Sequence, residues 1–165
     1  MSVSPIPAGY NSVSPYLVVS NSAEALEFYE KALGAETVMV MPGPSGQAVM
    51  HAEMRIGNSI VMMTDENPQF NMLSPTKLGG TAVSMHLYVE DVDAGFARAT
   101  EAGCTVVFPP SDMFWGDRFC KVTDPYGHLW SLASHTEDVP PEEMGARQEE
   151  FFKQMAQSGE EGSDA

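Results

Sequence analysis

Basic residues are scarce in this chain: 8 lysines and arginines stand against 23 aspartates and glutamates, a formal net charge of −15 over 165 residues. A phosphate backbone needs a cationic footprint, so no nucleic-acid partner is expected. Cysteine is nearly absent. Cys104 and Cys120 show neither CxxC spacing nor a disulfide framework, which is the usage of a reducing compartment. No apolar run is long enough to cross a bilayer, so no membrane partner is expected either. The opening MSVSPIPAGY lacks a basic start and an apolar stretch, so no secretory signal is expected and the expected location is cytoplasmic.

What remains is an ordinary globular composition, 43% hydrophobic, long enough for one domain with a core that needs no metal or disulfide. Residues 136–165 carry nine of the acids against Arg147 and Lys153, and the excess there reads as solubility. Attraction of a cationic ligand is the second reading.

A repeat runs through the chain. YLVVSNSAEALEFYEKALGAETV, from Tyr16, reads as a strand, an N-cap at Asn21 or Ser22, a helix and a stop at Gly34. The apolar face of that helix is Ala25, Leu26, Phe28, Tyr29, Ala32 and Leu33. About seventy residues on, LYVEDVDAGFARATEAGCTVV repeats the order, with Asp91 and Asp93 at the cap and Gly103 as the stop. Strands follow the first helix at 38–41, 48–56 and 59–63, and the second at 106–108, 118–123 and 128–133. The period is βαβββ used twice, which makes a pseudo-twofold domain. Module one covers about 10–66, a turn-rich linker 67–82, module two about 83–135, and a C-terminal helix and tail 136–165. The last helix, opened by Pro140 and Pro141, has an apolar stripe of Met144, Phe151, Phe152 and Met155, and its end, 158–165, reads as disordered.

The paired modules, with ALEFYEKALGAE, MHAEMRIGN and GDRFCKVTDPYGHLW, resemble the vicinal oxygen chelate superfamily of glyoxalases, bleomycin-resistance proteins and dioxygenases, and within it the PhnB-like branch. The resemblance implies an α+β fold in which two βαβββ modules form a curved eight-stranded mixed sheet, with helices on the convex face and a further C-terminal helix. It also implies a ligand site in the concave sheet. Metal-dependent relatives draw two ligands from each module. Carried over, those positions fall on Ser14 and on Val61 or Met62 in module one, and on Ser84 and Ser131 in module two. None is a competent ligand for a catalytic divalent ion, so neither metal nor cofactor is expected.

Strand alternation places Ser14, Tyr16 and Val18 on one side of the first strand, and Ser84, His86 and Tyr88 on one side of the fifth. His51, Glu53 and Arg55 share a side of the third, either as a solvated face or as part of a cup. If His51, Glu53 and His86 converge, they could hold a metal in a shifted position or act as an acid–base pair. The segment PPSDMFWGDRF exposes Met113, Phe114 and Trp115 on a loop, which reads as a ligand lid with Trp115 at its rim. Arg118 either anchors an anion or pairs with Asp117 or Asp124. Asp124 reads as a turn-former, His128 as structural and Cys120 as packing.

The candidate ligand-binding residues are therefore Ser14, Tyr16, His51, Glu53, Ser84, His86, Trp115, Arg118 and Ser131, with Ser14, Ser84 and Ser131 expected close together. The first functional expectation is a metal-free protein that binds a small organic molecule. The alternatives are a metal-dependent lyase or dioxygenase with non-standard ligands, and a dimeric scaffold with a vestigial cup. The sheet edges and the last helix lead to the expectation of a homodimer.

Overall fold

The computed structural model of the chain describes residues 3–46 and 48–161. Module one runs β1 (Tyr16–Val19), α1 (Ser22–Leu33), β2 (Glu36–Pro42), β3 (Val49–Ile56) and β4 (Ser59–Asp65). A 3₁₀ turn at Pro68–Phe70 and the short α2 (Pro75–Leu78) follow in the linker. Module two runs β5 (Ser84–Tyr88), α3 (Val92–Ala102), β6 (Thr105–Asp112), β7 (Asp117–Thr123) and β8 (Leu129–His135), and α4 (Pro141–Glu161) closes the chain.

Local chemistry sets the helix ends. The Asn21 side chain accepts from the backbone N–H groups of Ala23 and Glu24, and Asp91 accepts from that of Ala94. Gly34 and Gly103 end the two helices in left-handed conformations.

The eight strands divide into two four-stranded mixed sheets, ordered β1-β4-β3-β2 and β5-β8-β7-β6. In each, the first strand runs parallel to the last and the other pairings are antiparallel. The sheets meet through side chains rather than through a shared ladder. α1 and α3 pack on each other and against the backs of the sheets, so one core joins Leu26, Tyr29, Met54 and Met63 to Val92, Val122, Trp130 and Leu132. Hydrogen bonds also tie the halves, among them His128 Nε2 donating to the Val18 carbonyl at 3.1 Å and Arg98 Nε to the Ala32 carbonyl at 3.1 Å.

Three features depart from the expectations. β6 continues through Pro109 and Pro110 to Asp112, whereas the sequence places its end at Phe108. It is an edge strand, and register shifts on both sides of Phe108 remove the need for the missing proline N–H groups. The loop then shrinks to a tight hairpin, in which Met113 N–H donates to the Asp117 carbonyl at 2.8 Å. Its Met113, Phe114 and Trp115 are each half-buried, because α4 lies over the loop and sets Phe151 and Phe152 against Phe114, at 5.7 and 6.3 Å between ring centroids. Gly116 adopts φ +93°, and a Cβ there would sit 2.1 Å from the Glu137 carbonyl oxygen, so the segment leading to α4 crosses where only glycine fits. Finally, α4 continues through residue 161, four residues into the stretch read as disordered; residues 162–165 lie outside the described residues.

Candidate functional site

Each sheet has one face against the shared core and one open face. On the open face of the second sheet, His86 and Lys121 both stand opposite Ser131, one on each flanking strand. Cross-strand partners share a face, so the three form one row. Ser84 joins it through a 3.2 Å hydrogen bond between its Oγ and that of Ser131. One step along, Tyr88 and Phe119 flank Ala133. The His86 ring lies 4.8 Å from Tyr88 and stacks on Phe119 at 6.1 Å. Trp115 meets Phe119 edge-on at 5.9 Å, and the Lys121 ammonium stands 5.9 Å from the centre of the same ring.

Beyond these rings lies Asp117, 5% exposed, opposite His135. Its carboxylate accepts from Trp115 Nε1 at 3.0 Å, from the Tyr88 hydroxyl at 3.2 Å and from His135 Nδ1 at 2.8 Å. Asp117, and then Asp138 on the other ring nitrogen at 3.0 Å, raise the pKa of His135.

The open face of the first sheet carries a hydrogen-bonded chain. Tyr10 donates to Glu53 Oε2, His51 Nε2 contacts Glu53 Oε1 at 3.1 Å, and Tyr16 OH lies 2.9 Å from His51 Nδ1. With Nε2 donating to the carboxylate, Nδ1 accepts from the Tyr16 hydroxyl. The hydrogen bond from Tyr10, followed by that from His51, holds the Glu53 carboxyl below its usual range despite burial. Burial first, then the Glu53 charge, raises the Tyr16 phenol. A cavity of about 490 Å³ beside the chain is lined by Tyr10, Ser14, Glu53 and Met62 among others.

Register shows how the two faces correspond. Tyr16 and Glu53 flank Met62 as His86 and Lys121 flank Ser131. Met62, rather than Val61, is thus the counterpart of Ser131, and Val61 is buried in the core. Two residues before Tyr16 and His86 stand Ser14 and Ser84. The four positions that the resemblance marks for metal ligands hold three hydroxyls and a thioether, a set without imidazole, carboxylate or thiolate. Glu53 and Lys121, the outer members of the two rows, have opposite charge.

Of the residues read from the sequence, Ser84, Ser131 and His86 come together, and so do Tyr16, His51 and Glu53. Among the described residues no hydrogen bond links the two groups. Ser14 lines the cavity with Tyr10 and Glu53. His86 makes no bond to His51 or Glu53, and among the described residues no group of three or more His, Cys, Asp or Glu side chains could hold a metal. Arg118 pairs with Asp93 at 2.6 Å and Asp112 at 3.0 Å, not with Asp117 or Asp124. Both partners lie on neighbouring elements that only the folded sheet brings to it. Trp115 stands beside the aromatic row with its indole N–H committed to Asp117. Tyr10 and Lys121 are additions. Alternation in CKVT could have placed Lys121 opposite Ser131, whereas Tyr10 lies in an irregular segment without period.

Comparison with known proteins agrees with this fold. A family model described as the Glyoxalase/Bleomycin resistance protein/Dioxygenase superfamily matches residues 9–132. An uncharacterized protein of Mycobacterium bovis is 46% identical over 138 residues, 82% of this chain and 90% of the relative. Protein YjdN of Escherichia coli is 30% identical over 140 residues, covering 73% and 92%. Among solved structures, TioX from Micromonospora sp. ML1 superposes with a TM-score of 0.61 at 28% identity, covering 76% of this chain and 98% of that one. A PhnB protein from Bacillus cereus, at 19% identity and a TM-score of 0.56 over 75% and 99%, shares the fold.

Proposed function

The chain belongs to the glyoxalase/bleomycin resistance protein/dioxygenase superfamily, and from that premise we propose that it binds a small organic molecule on the open faces of its sheets without a divalent metal. The observation that carries this reading is the Ser84–Ser131 hydroxyl pair, at the two positions of module two that the resemblance marks for a histidine and a glutamate ligand. Neutral hydroxyls leave a cation's charge uncompensated but serve well as hydrogen-bond partners for an organic ligand. The fold alone does not name a reaction.

Two measurements test this together. Elemental analysis of protein purified without chelators should find no stoichiometric Zn, Mn, Fe or Ni. Melting temperature should rise with members of a small-molecule library. Stoichiometric metal overturns the metal-free reading, and a library without effect supports a vestigial cup instead.

A second reading rests on the Tyr10–Glu53–His51–Tyr16 chain: a carboxylate that fixes the imidazole tautomer and a phenol at the outer end make a proton relay of the kind general acid–base enzymes use. No observation favours a metal-dependent lyase or dioxygenase. We also propose a cytoplasmic homodimer. Val38, Met39, Val40 and Met41 on edge strand β2 are each 38–46% exposed, an apolar strip that a second copy would cover. Light scattering should return twice the chain mass.

A further inference from the structure

We propose that the open face of the second sheet binds a small organic monoanion with a flat aromatic body, its charged head held by Lys121, Ser131, Ser84 and His86. This rests on the reading that the protein binds a small molecule there and adds the chemical class.

The head site is recognised by donors that the protein leaves unused. Arg118 and Arg147 are each held by two carboxylates. Lys121 has no carboxylate within 4.0 Å among the described residues; its one partner is the Phe119 ring. Of the four half-buried cations, Arg55 and Lys121 have no carboxylate within 4.0 Å among the described residues, and of these two Lys121 stands on the serine row. The serine pair adds to it. Each hydroxyl carries one hydrogen, and the 3.2 Å bond between them uses one of the two. Whichever serine donates, the other keeps a hydrogen with no acceptor among the described residues, and Ser131 is only 4% exposed. His86 makes ring contacts but no hydrogen bond among the described residues. An ammonium, a spare hydroxyl hydrogen and an imidazole N–H on one row all call for an acceptor, and the ammonium calls for a negative one.

The body site is the next row. Two residues of strand separate Lys121 from Phe119, about 7 Å at the usual rise. There the rings of Phe119, His86 and Trp115 form a shelf. A fused bicyclic acid spans that distance and matches the shelf by stacking. At the far end, Asp117 already accepts from Tyr88, Trp115 and His135, so its carboxylate offers no donor and repels a second negative group. The site therefore selects one charge, at the Lys121 end. The equivalent row of the first sheet has Glu53 in place of Lys121 and cannot bind the same ligand.

Calorimetry on the full chain tests this with four probes: naphthalene-2-carboxylate, the isosteric 2-naphthylmethylammonium, acetate and inorganic phosphate. Naphthoate should bind saturably, with the ammonium, acetate and phosphate each at least about tenfold weaker, the factor a charge-assisted contact supplies. Lys121→Met should weaken naphthoate by about tenfold or more, and Ser131→Ala by several-fold. In the unmodified protein, naphthoate should shift the indole N–H resonance of Trp115 and leave the Tyr10 and Tyr16 ring signals in place, so the proposal stays testable even if a variant misfolds. Equal binding of the ammonium probe, an unchanged affinity in Lys121→Met, or shifts confined to the first sheet would each overturn it. If naphthoate fails while neutral or cationic library members raise the melting temperature, this assignment falls and the small-molecule reading stands. If nothing binds, both fall.

Discussion

The Tyr29 hydroxyl donates to Asp124 Oδ2 at 2.6 Å, joining the helix of the first module to a turn of the second across 95 positions of chain. The same carboxylate accepts from Trp130 Nε1 and from the backbone N–H groups of Tyr126 and His128, each at 2.9 Å. Four donors saturate it. Asp124→Ala leaves all four without an acceptor and is expected to cost about 3 kcal/mol or more, against about 1 kcal/mol for Tyr29→Phe. Denaturant unfolding at constant slope measures both. A loss below about 1 kcal/mol for Asp124→Ala would show that the turn does not fasten the halves.

Tyr10 tunes Glu53. The hydrogen bond from Tyr10 is the largest cause of the lowered Glu53 pKa, so Tyr10→Phe should move that carboxyl back up toward its ordinary range. The sign for stability follows: a depressed carboxylate pKa stabilises above the ordinary range and loses its contribution as pH falls through the folded value. Tyr10→Phe should therefore flatten the acid limb of the stability curve. Carbon-13 titration of the Glu53 carboxyl reads the shift directly, and an unchanged pKa refutes the contact.

His135 responds in the other direction. Its folded pKa lies above 6.5 because Asp117 and Asp138 bond its two ring nitrogens. A raised histidine pKa stabilises fully below the unfolded value and fades as pH rises through the folded one. His135→Gln should therefore cost stability relative to the unmodified protein at low pH, and the difference should close as pH rises through the folded pKa of His135. Identical pH profiles for the two proteins would mean the clasp contributes nothing to folding.

Helix α4 covers the aromatic hairpin. Phe151→Ala removes the ring 5.7 Å from Phe114 and should expose the neighbouring Trp115. Emission should shift to the red, with Trp130, 3% exposed in the core, supplying an unchanged background. No shift would show that α4 does not shield the hairpin.

The helices were legible because their ends are local. Asn21 with Gly34 and Asp91 with Gly103 act within a few residues of themselves. Strand faces were legible for a similar reason, since alternation needs only neighbours. What needed the fold was register. Lys121 belongs to the Ser131 row only once β7 is paired with β8, and Arg118 finds Asp93 and Asp112 only across elements. Pro109 and Pro110 signal a strand end, and they were absorbed because β6 lies at an edge with shifted register. Asp124 reads as a turn residue because the tyrosine that gives it a second role is 95 positions away.

Glu53 and Lys121 stand at matching places in two halves of one plan. An assembly of identical half-length chains would have to carry the same residue at both places, two carboxylates or two ammoniums. Covalent joining of the halves removes that constraint, because each copy is then free to drift alone. The opposite signs seen here are thus something duplication and fusion make available, and engineers could use the same freedom. Altering the acidic half should leave the basic half's chemistry intact, so two ligand specificities can be evolved separately on one backbone.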